Sequence, residues 1–200
     1  MTKKTSIHWF RQDLRIIDNP ALINASQHKH VMPIYILDDI NSMEYAMGRA
    51  SRVWLHYSLM SLNKSLNGNL SIYQGDPLII LSNLVSQIGI DAVYWNRCYE
   101  PWRISRDKII KVFLEKKGVF VESSNASLLW EPWKIKKKDG TPYRVFTPFY
   151  RNGCLQASTP RKPLKKPKKI SYFKDENNSL LINQFKLLPK ASWDKKITNH

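Results

Sequence analysis

Short apolar runs rich in β-branched and aromatic residues alternate along the chain with longer stretches whose apolar positions recur every three or four residues. The short runs predict strands over residues 6–10, 31–37, 70–73, 92–95 and 119–122. The longer stretches predict helices over residues 20–27, 50–62, 77–87 and 102–117. In the second of these helices the periodic positions are Ala50, Val53, Trp54, Tyr57, Leu59, Met60 and Leu62. In the fourth, Ile109, Ile110, Val112, Phe113 and Leu114 are expected on one side. Two starts are announced by Asn19-Pro20 and Asp76-Pro77, a capping side chain ahead of a proline whose missing N–H costs nothing at the first helical position. Strands and helices alternating in this way predict an α/β fold, a doubly wound five-stranded parallel sheet of Rossmann-like or flavodoxin-like type.

The alternation stops after the fifth strand. Lys136 to Gly140 is a turn signal between strand-like flanks, which predicts a hairpin over residues 133–145. From Ser158 onward, proline, lysine and polar residues dominate, so a compact domain is expected over residues 1–157, followed by an extended basic linker over 158–200.

Composition sharpens this picture in two places. The formal net charge is +16 in 200 residues, and from Pro160 onward eleven lysines and arginines face three acids, so half the excess sits in the last fifth of the chain. Such a tail draws a protein toward polyanions, although no aromatic residue interleaves the cations from Arg161 to Lys169 to stack on bases. The two cysteines, Cys98 and Cys154, have no CxxC spacing, which argues against a disulfide scaffold or a zinc site. No apolar stretch has the length of a membrane helix or the form of a signal peptide, and a cytoplasmic protein is expected.

Ligands of open parallel sheets bind beyond the carboxyl ends of the strands, which directs attention to residues 11–18, 38–49, 74–77 and 96–102. Asn96, Arg97, Tyr99, Glu100 and Trp102 combine an amide, an arginine and a carboxylate with two rings, suited to a planar hydrogen-bonding molecule. The competing reading is a loop in which Glu100 pairs with Arg11 or Arg15. Arg52 can reach an anionic ligand or a neighbouring carboxylate. No glycine pair forms GxG, and neither a P-loop, an HExxH pair nor a GxSxG elbow is present, so nicotinamide, P-loop, zinc-protease and hydrolase sites are disfavoured. His28-Lys29-His30 reads as a solvated helix end rather than a metal site.

The motifs themselves go further. Trp9-Phe10-Arg11-Gln12-Asp13-Leu14-Arg15 with Asp18-Asn19-Pro20-Ala21-Leu22 resembles the opening of the DNA photolyase and cryptochrome family. Four more segments resemble it in order: Gly48 to Arg52 with Trp54-Leu55-His56; Val93 to Arg97 with Tyr99-Glu100-Pro101; Leu128 to Pro132; and Gly140 to Phe149. The resemblance implies a light-harvesting antenna domain of a deoxyribodipyrimidine photolyase, with the FAD-binding helical domain that repairs ultraviolet damage lying outside this chain. It also implies a bound antenna chromophore: a reduced folate such as methenyltetrahydrofolate, a deazaflavin, or FMN. Carried over residue by residue, Asn96 and Glu100 are the first candidate contacts, then Arg52 and Asp38, then Arg11. Asp13 and Arg15 are expected to brace the strand end, and Cys98 departs from the family pattern. No catalytic or metal-binding residue is expected, and the segment alone should be inactive. Expected partners are the family's FAD-binding domain, ultraviolet-damaged DNA in the full-length protein, and DNA held weakly and nonspecifically by the basic linker. A monomer is expected. The alternatives are the amino-terminal part of a cryptochrome-type blue-light photoreceptor and a stand-alone folate- or flavin-binding module.

Overall fold

A computed structural model of the chain describes residues 5–195, apart from the side chain of Ser192; the last five residues of the expected linker lie outside the described residues. The predicted strands form as β1 (Thr5–Phe10), β2 (His30–Leu37), β3 (Ser71–Gln74), β4 (Ala92–Asn96) and β5 (Phe120–Ser124). Between them run α1 (Pro20–Ala25), α2 (Arg49–Ser65), α3 (Pro77–Ile88) and α4 (Pro101–Lys116). All five strands pair in parallel in the order β3-β2-β1-β4-β5. That order is the Rossmann half-fold and not the flavodoxin one, and its switch point lies between β1 and β4.

The caps work as the sequence predicts. Asn19 accepts the Leu22 N–H at 3.0 Å and Asp76 accepts the Leu78 N–H at 2.8 Å, each ahead of a proline. Side chains alternate across the sheet: Ile7 and Trp9 join Met32, Leu81, Val93, Ile110 and Leu114 on the α3/α4 side, while Phe10 joins Leu22, Leu55, Leu59 and Tyr94 on the α1/α2 side. Helices cover both faces, so the strands read as continuous apolar runs.

Four expectations are corrected. In α2 only Val53, Leu55, His56, Leu59 and Leu62 are buried; Trp54, Tyr57 and Met60 point outward. In α4, Ile109 and Val112 are likewise exposed, and Arg106 and Asp107 take part of the inward face. His28 is buried beside the Tyr94 hydroxyl, 3.1 Å away, rather than solvated. Residues 133–145 form turns instead of a hairpin: Gly140 bonds back to Lys137, and Asp139 accepts both the N–H and the hydroxyl of Thr141. Pro142, which has no N–H to give a ladder, follows at once.

From residue 158 the chain is mostly irregular, with short helical turns at Ile182–Phe185 and Ser192–Asp194, and it is not free. Tyr172 bridges Val31, and the Leu180 N–H donates to the Ile72 carbonyl at 2.8 Å. The Tyr73 hydroxyl donates to Asp175 at 2.9 Å. Phe185 and Leu187, at 5% and 4% exposure, complete the α1/α2-side core. A unit ending at residue 157 therefore omits side chains that the core uses.

Candidate antenna site

Beyond the carboxyl ends of β1 and β2, roofed by α2 and flanked by the start of α4, lies a cavity of about 750 Å³. Its size and its mix of rings and charges suit a cofactor-sized ligand. Strand β1 runs into it through Trp9 and Arg11, and β2 through Tyr35, Leu37 and Asp38. Trp54 from α2 and Trp102, Arg103 and Arg106 from α4 close the sides.

The floor is an ion-pair network. Asp107 receives Arg11 on one oxygen and, at 2.8 Å, Arg106 on the other. Arg106 also donates to Asp38 at 2.8 Å. Burial opposes the Arg106 charge, yet the two carboxylates more than offset it and raise its pKa above the ordinary value. The arginines also lie against indole faces: the Arg106 guanidinium carbon is 5.1 Å from both the Trp9 and Trp102 rings, and that of Arg103 is 4.7 Å from Trp102. These contacts hold flat cationic groups rigid at the cavity wall.

Of the five residues singled out in the sequence, the structure brings Arg11 and Asp38 to the cavity. Asp38 is saturated there: besides Arg106 it accepts the backbone N–H groups of Ile40 and Asn41, at 3.2 and 2.9 Å, and shapes the turn after β2. Arg52 grips Asp39 with two bonds of 3.0 and 2.8 Å and the Met47 carbonyl at 3.0 Å, so it ties the 39–47 loop to α2 from outside the cavity wall. Asn96 is turned into the protein. Its amide donates to Asp13 and to Asn19, the latter at 2.7 Å, and its oxygen accepts the Ala21 N–H at 3.2 Å. Glu100 lies off the cavity, accepting from Gln12 at 2.7 Å and facing Arg103 at 3.6 Å. Burial works against its charge, but hydrogen bonds from its own backbone and Gln12 prevail and lower its pKa.

The opening Arg11-Gln12-Asp13-Leu14-Arg15 run is thus largely bracing. Asp13, on which burial pushes the pKa up against its bonds to Asn96 and Arg11, joins Arg11 and Asn96 in one buried network. Arg15 spans the carbonyls of Asp18 and Ala126, at 2.8 and 2.7 Å. Cys98 is buried 3.6 Å from Arg103, and burial raises its thiol pKa.

Sequence reasoning missed Tyr35, Trp54, Arg103 and Arg106 as cavity residues, whereas Trp102, expected in the ligand loop, does line it. The available signal was that α2 and α4 carry more apolar and aromatic residues than one buried face accommodates. Four polar atoms at this cavity's residues are buried without a hydrogen-bond partner among the described residues: Trp9 Nε1, Arg11 Nε, Ser42 Oγ and Arg103 Nε, the last facing the Glu100 carboxylate at 3.6 Å. Buried donors of this kind want acceptors, and a ligand rich in ring nitrogens and carbonyls supplies them, so the residues present fit such a group.

Comparison with known proteins agrees with this fold. A sequence model of the DNA photolyase family matches residues 6–168. Deoxyribodipyrimidine photo-lyase of Agrobacterium fabrum is 40% identical, covering all of this chain and 42% of that protein. Cryptochrome-1 of Arabidopsis thaliana is 36% identical over 82% of this chain and 25% of its own length. Among solved structures, the class III photolyase of Agrobacterium tumefaciens superposes with a TM-score of 0.89 at 37% identity, over the whole chain and 42% of that protein. An archaeal photolyase from Sulfolobus tokodaii, solved with two FAD molecules, shares the fold with a TM-score of 0.72 at 24% identity, over 92% of this chain and 42% of that one. The chain spans less than half the length of these relatives.

Proposed function

This chain belongs to the DNA photolyase family, and from that premise we propose that it is the light-harvesting unit of a deoxyribodipyrimidine photolyase. The cavity beyond β1 and β2, with its unpartnered buried donors, carries the reading. When bound there, a reduced folate, a deazaflavin or FMN supplies light absorption and transfer of excitation energy; the protein positions it. Trp54 and Trp102 offer ring faces for stacking, and Arg103 and Arg106 offer fixed positive charge for carbonyl or acidic groups. Arg11, Asp38 and Arg52 hold that wall in place through Asp107, Arg106 and Asp39. Asn96 and Glu100 act from behind it as positioning residues.

Light-driven repair of pyrimidine dimers then belongs to a flavin-bearing domain, and these 200 residues alone carry out no repair. The face that meets that domain is the segment after β5. There Trp133, Val145, Phe146 and Tyr150 are exposed by 47% or more, and the Phe146 and Tyr150 rings stack 5.9 Å apart. An apolar, aromatic surface of this kind marks an interface, and the greater part of each relative's length is available to cover it. Ultraviolet-damaged DNA is the partner of the whole protein. Among the described residues no helix is long and apolar enough to cross a membrane; we place the protein in the cytoplasm as a monomer. The second reading, a cryptochrome-type photoreceptor, rests on the 36% identity to the plant protein.

Absorption and fluorescence titrations with methenyltetrahydrofolate, a deazaflavin and FMN test the antenna. Saturable binding of one of them is expected, weakened about tenfold by Trp54→Ala through loss of stacking area and ring contact. Ile79→Ala, exposed on α3 and off the cavity, should leave the affinity unchanged. No binding of any of the three, or equal effects of the two substitutions, refutes the assignment.

A further inference from the structure

After the π-helical turn Phe149–Cys154 the chain crosses the α1 side of the sheet in a regular pattern. Leu164, Pro167 and Ile170 are partly covered, while Arg161, Lys162, Lys165, Lys166, Lys168 and Lys169 are exposed. One covered residue in three is the period of a polyproline II strand, which Pro160, Pro163 and Pro167 favour. The strap is fastened at both ends. Asp18 binds the Leu164 backbone twice, giving its own N–H to the Leu164 carbonyl at 2.9 Å and accepting the Leu164 N–H on its carboxylate at 3.1 Å. Ile170 and Tyr172 pack onto the core. Arg161 pairs with Asp18, which is thereby held below the usual carboxylate range, chiefly by that bond. The other five cations, Lys162, Lys165, Lys166, Lys168 and Lys169, ion-pair with no carboxylate among the described residues.

We infer that this strap is a docking surface for the phosphate backbone of nucleic acid, bound without regard to sequence. The eight residue steps from Arg161 to Lys169 span about 25 Å at ~3.1 Å each. That length lies along about seven base steps of a duplex at ~3.4 Å per step. Lysine ammonium groups act as mobile point charges and impose no base-edge geometry. No ring between residues 161 and 169 is available to stack a base. The same period argues against a lipid surface, because the apolar members of the strap face the protein and leave nothing to insert between acyl chains. No residue of the strap lines the antenna cavity, so the inference stands apart from the antenna reading.

Fluorescence anisotropy of the 200-residue chain with a labelled duplex, titrated with KCl, tests it. Five neutralised phosphates give a slope of log K against log salt of about −4.5, or a loss of about 500-fold between 50 and 200 mM. Replacing Lys165, Lys166, Lys168 and Lys169 together by Ala should flatten the slope to about −1. Replacing Lys134, Lys136, Lys137 and Lys138 by Ala removes as much exposed charge elsewhere and should leave it near the wild-type value. Duplexes of different sequence should bind alike, and more tightly than vesicles of phosphatidylserine. Equal losses in the two variants, a strong sequence preference, or tighter binding to vesicles overturns the proposal.

Discussion

Lowering the pH should unfold this protein through one imidazole. His8 lies in the central strand at 0% exposure, and its Nε2 faces the Asn19 amide nitrogen at 3.2 Å. That amide can only donate, so Nε2 must accept and the ring is the neutral Nδ1–H tautomer. A second proton would set two donors against each other. Burial first, and then the Arg11 charge, lower the His8 pKa from 6.5 to about 3.

Above pH 6.5 both the folded and the unfolded chain carry the ring neutral, and it contributes no pH dependence. Below that value the unfolded chain takes up a proton that the folded one refuses, so stability falls by about 1.36 kcal/mol per pH unit until the folded pKa is reached. At about pH 5, some 1.5 units below the unfolded value, the loss is about 2 kcal/mol, a large share of the stability of an ordinary domain. Urea unfolding at about pH 7.5 and about pH 5, for wild type and His8→Gln, isolates the effect. Whatever constant penalty the substitution carries, the variant should lose about 2 kcal/mol less than wild type between the two pH values. Parallel losses in the two proteins would show that His8 is protonated in the folded state and that the Asn19 contact has been misread.

Two substitutions test the packing of segments that composition alone leaves loose. Phe185→Ala removes a buried ring 6.3 Å from Tyr35 and should lower the stability by about 3 kcal/mol, with faster tryptic cleavage of the tail; an unchanged unfolding midpoint would show that the tail does not dock. Gly153→Ala places a Cβ 2.8 Å from Ile135 Cγ2 and 3.1 Å from Tyr143, which overpacks the contact between the 133–145 turns and the π-helical turn. A loss of about 1–2 kcal/mol in thermal unfolding is expected, and a neutral result would mean that the two segments do not touch.

The sheet was legible because its signals are local. Short continuous apolar runs, Asn19-Pro20 and Asp76-Pro77 each act within a few residues, and burial on both faces erases ambiguity in β1, β2 and β4. The tail was not legible for the opposite reason. Phe185 and Leu187 look like isolated apolar residues in a polar stretch, and only the groove beside α2 makes them core. The hairpin expectation failed because Lys136 to Asp139 has turn chemistry but its flanks lack strand partners; Asp139 and Thr141 satisfy the turn by themselves.

The site shows the same division in finer grain. Asn96 and Glu100 stand out in the sequence because polar residues after a strand suggest ligand contacts, yet both find partners within the protein: Asn96 spans Asp13, Asn19 and Ala21, and Glu100 meets Gln12 and Arg103. A carboxylate or amide at a strand end serves a ligand only when its hydrogen-bonding capacity is left open, and sequence does not record occupancy. Capacity is left open on one Glu100 oxygen and, at the cavity itself, on the indole of Trp9, the hydroxyl of Ser42 and the Nε atoms of Arg11 and Arg103. Trp54, which the sequence placed among the periodic positions of α2, is 77% exposed on a helix that already has a full buried face. Its ring lies at the cavity, beyond the face that α2 buries, and that placement is what makes it the stacking ring we propose.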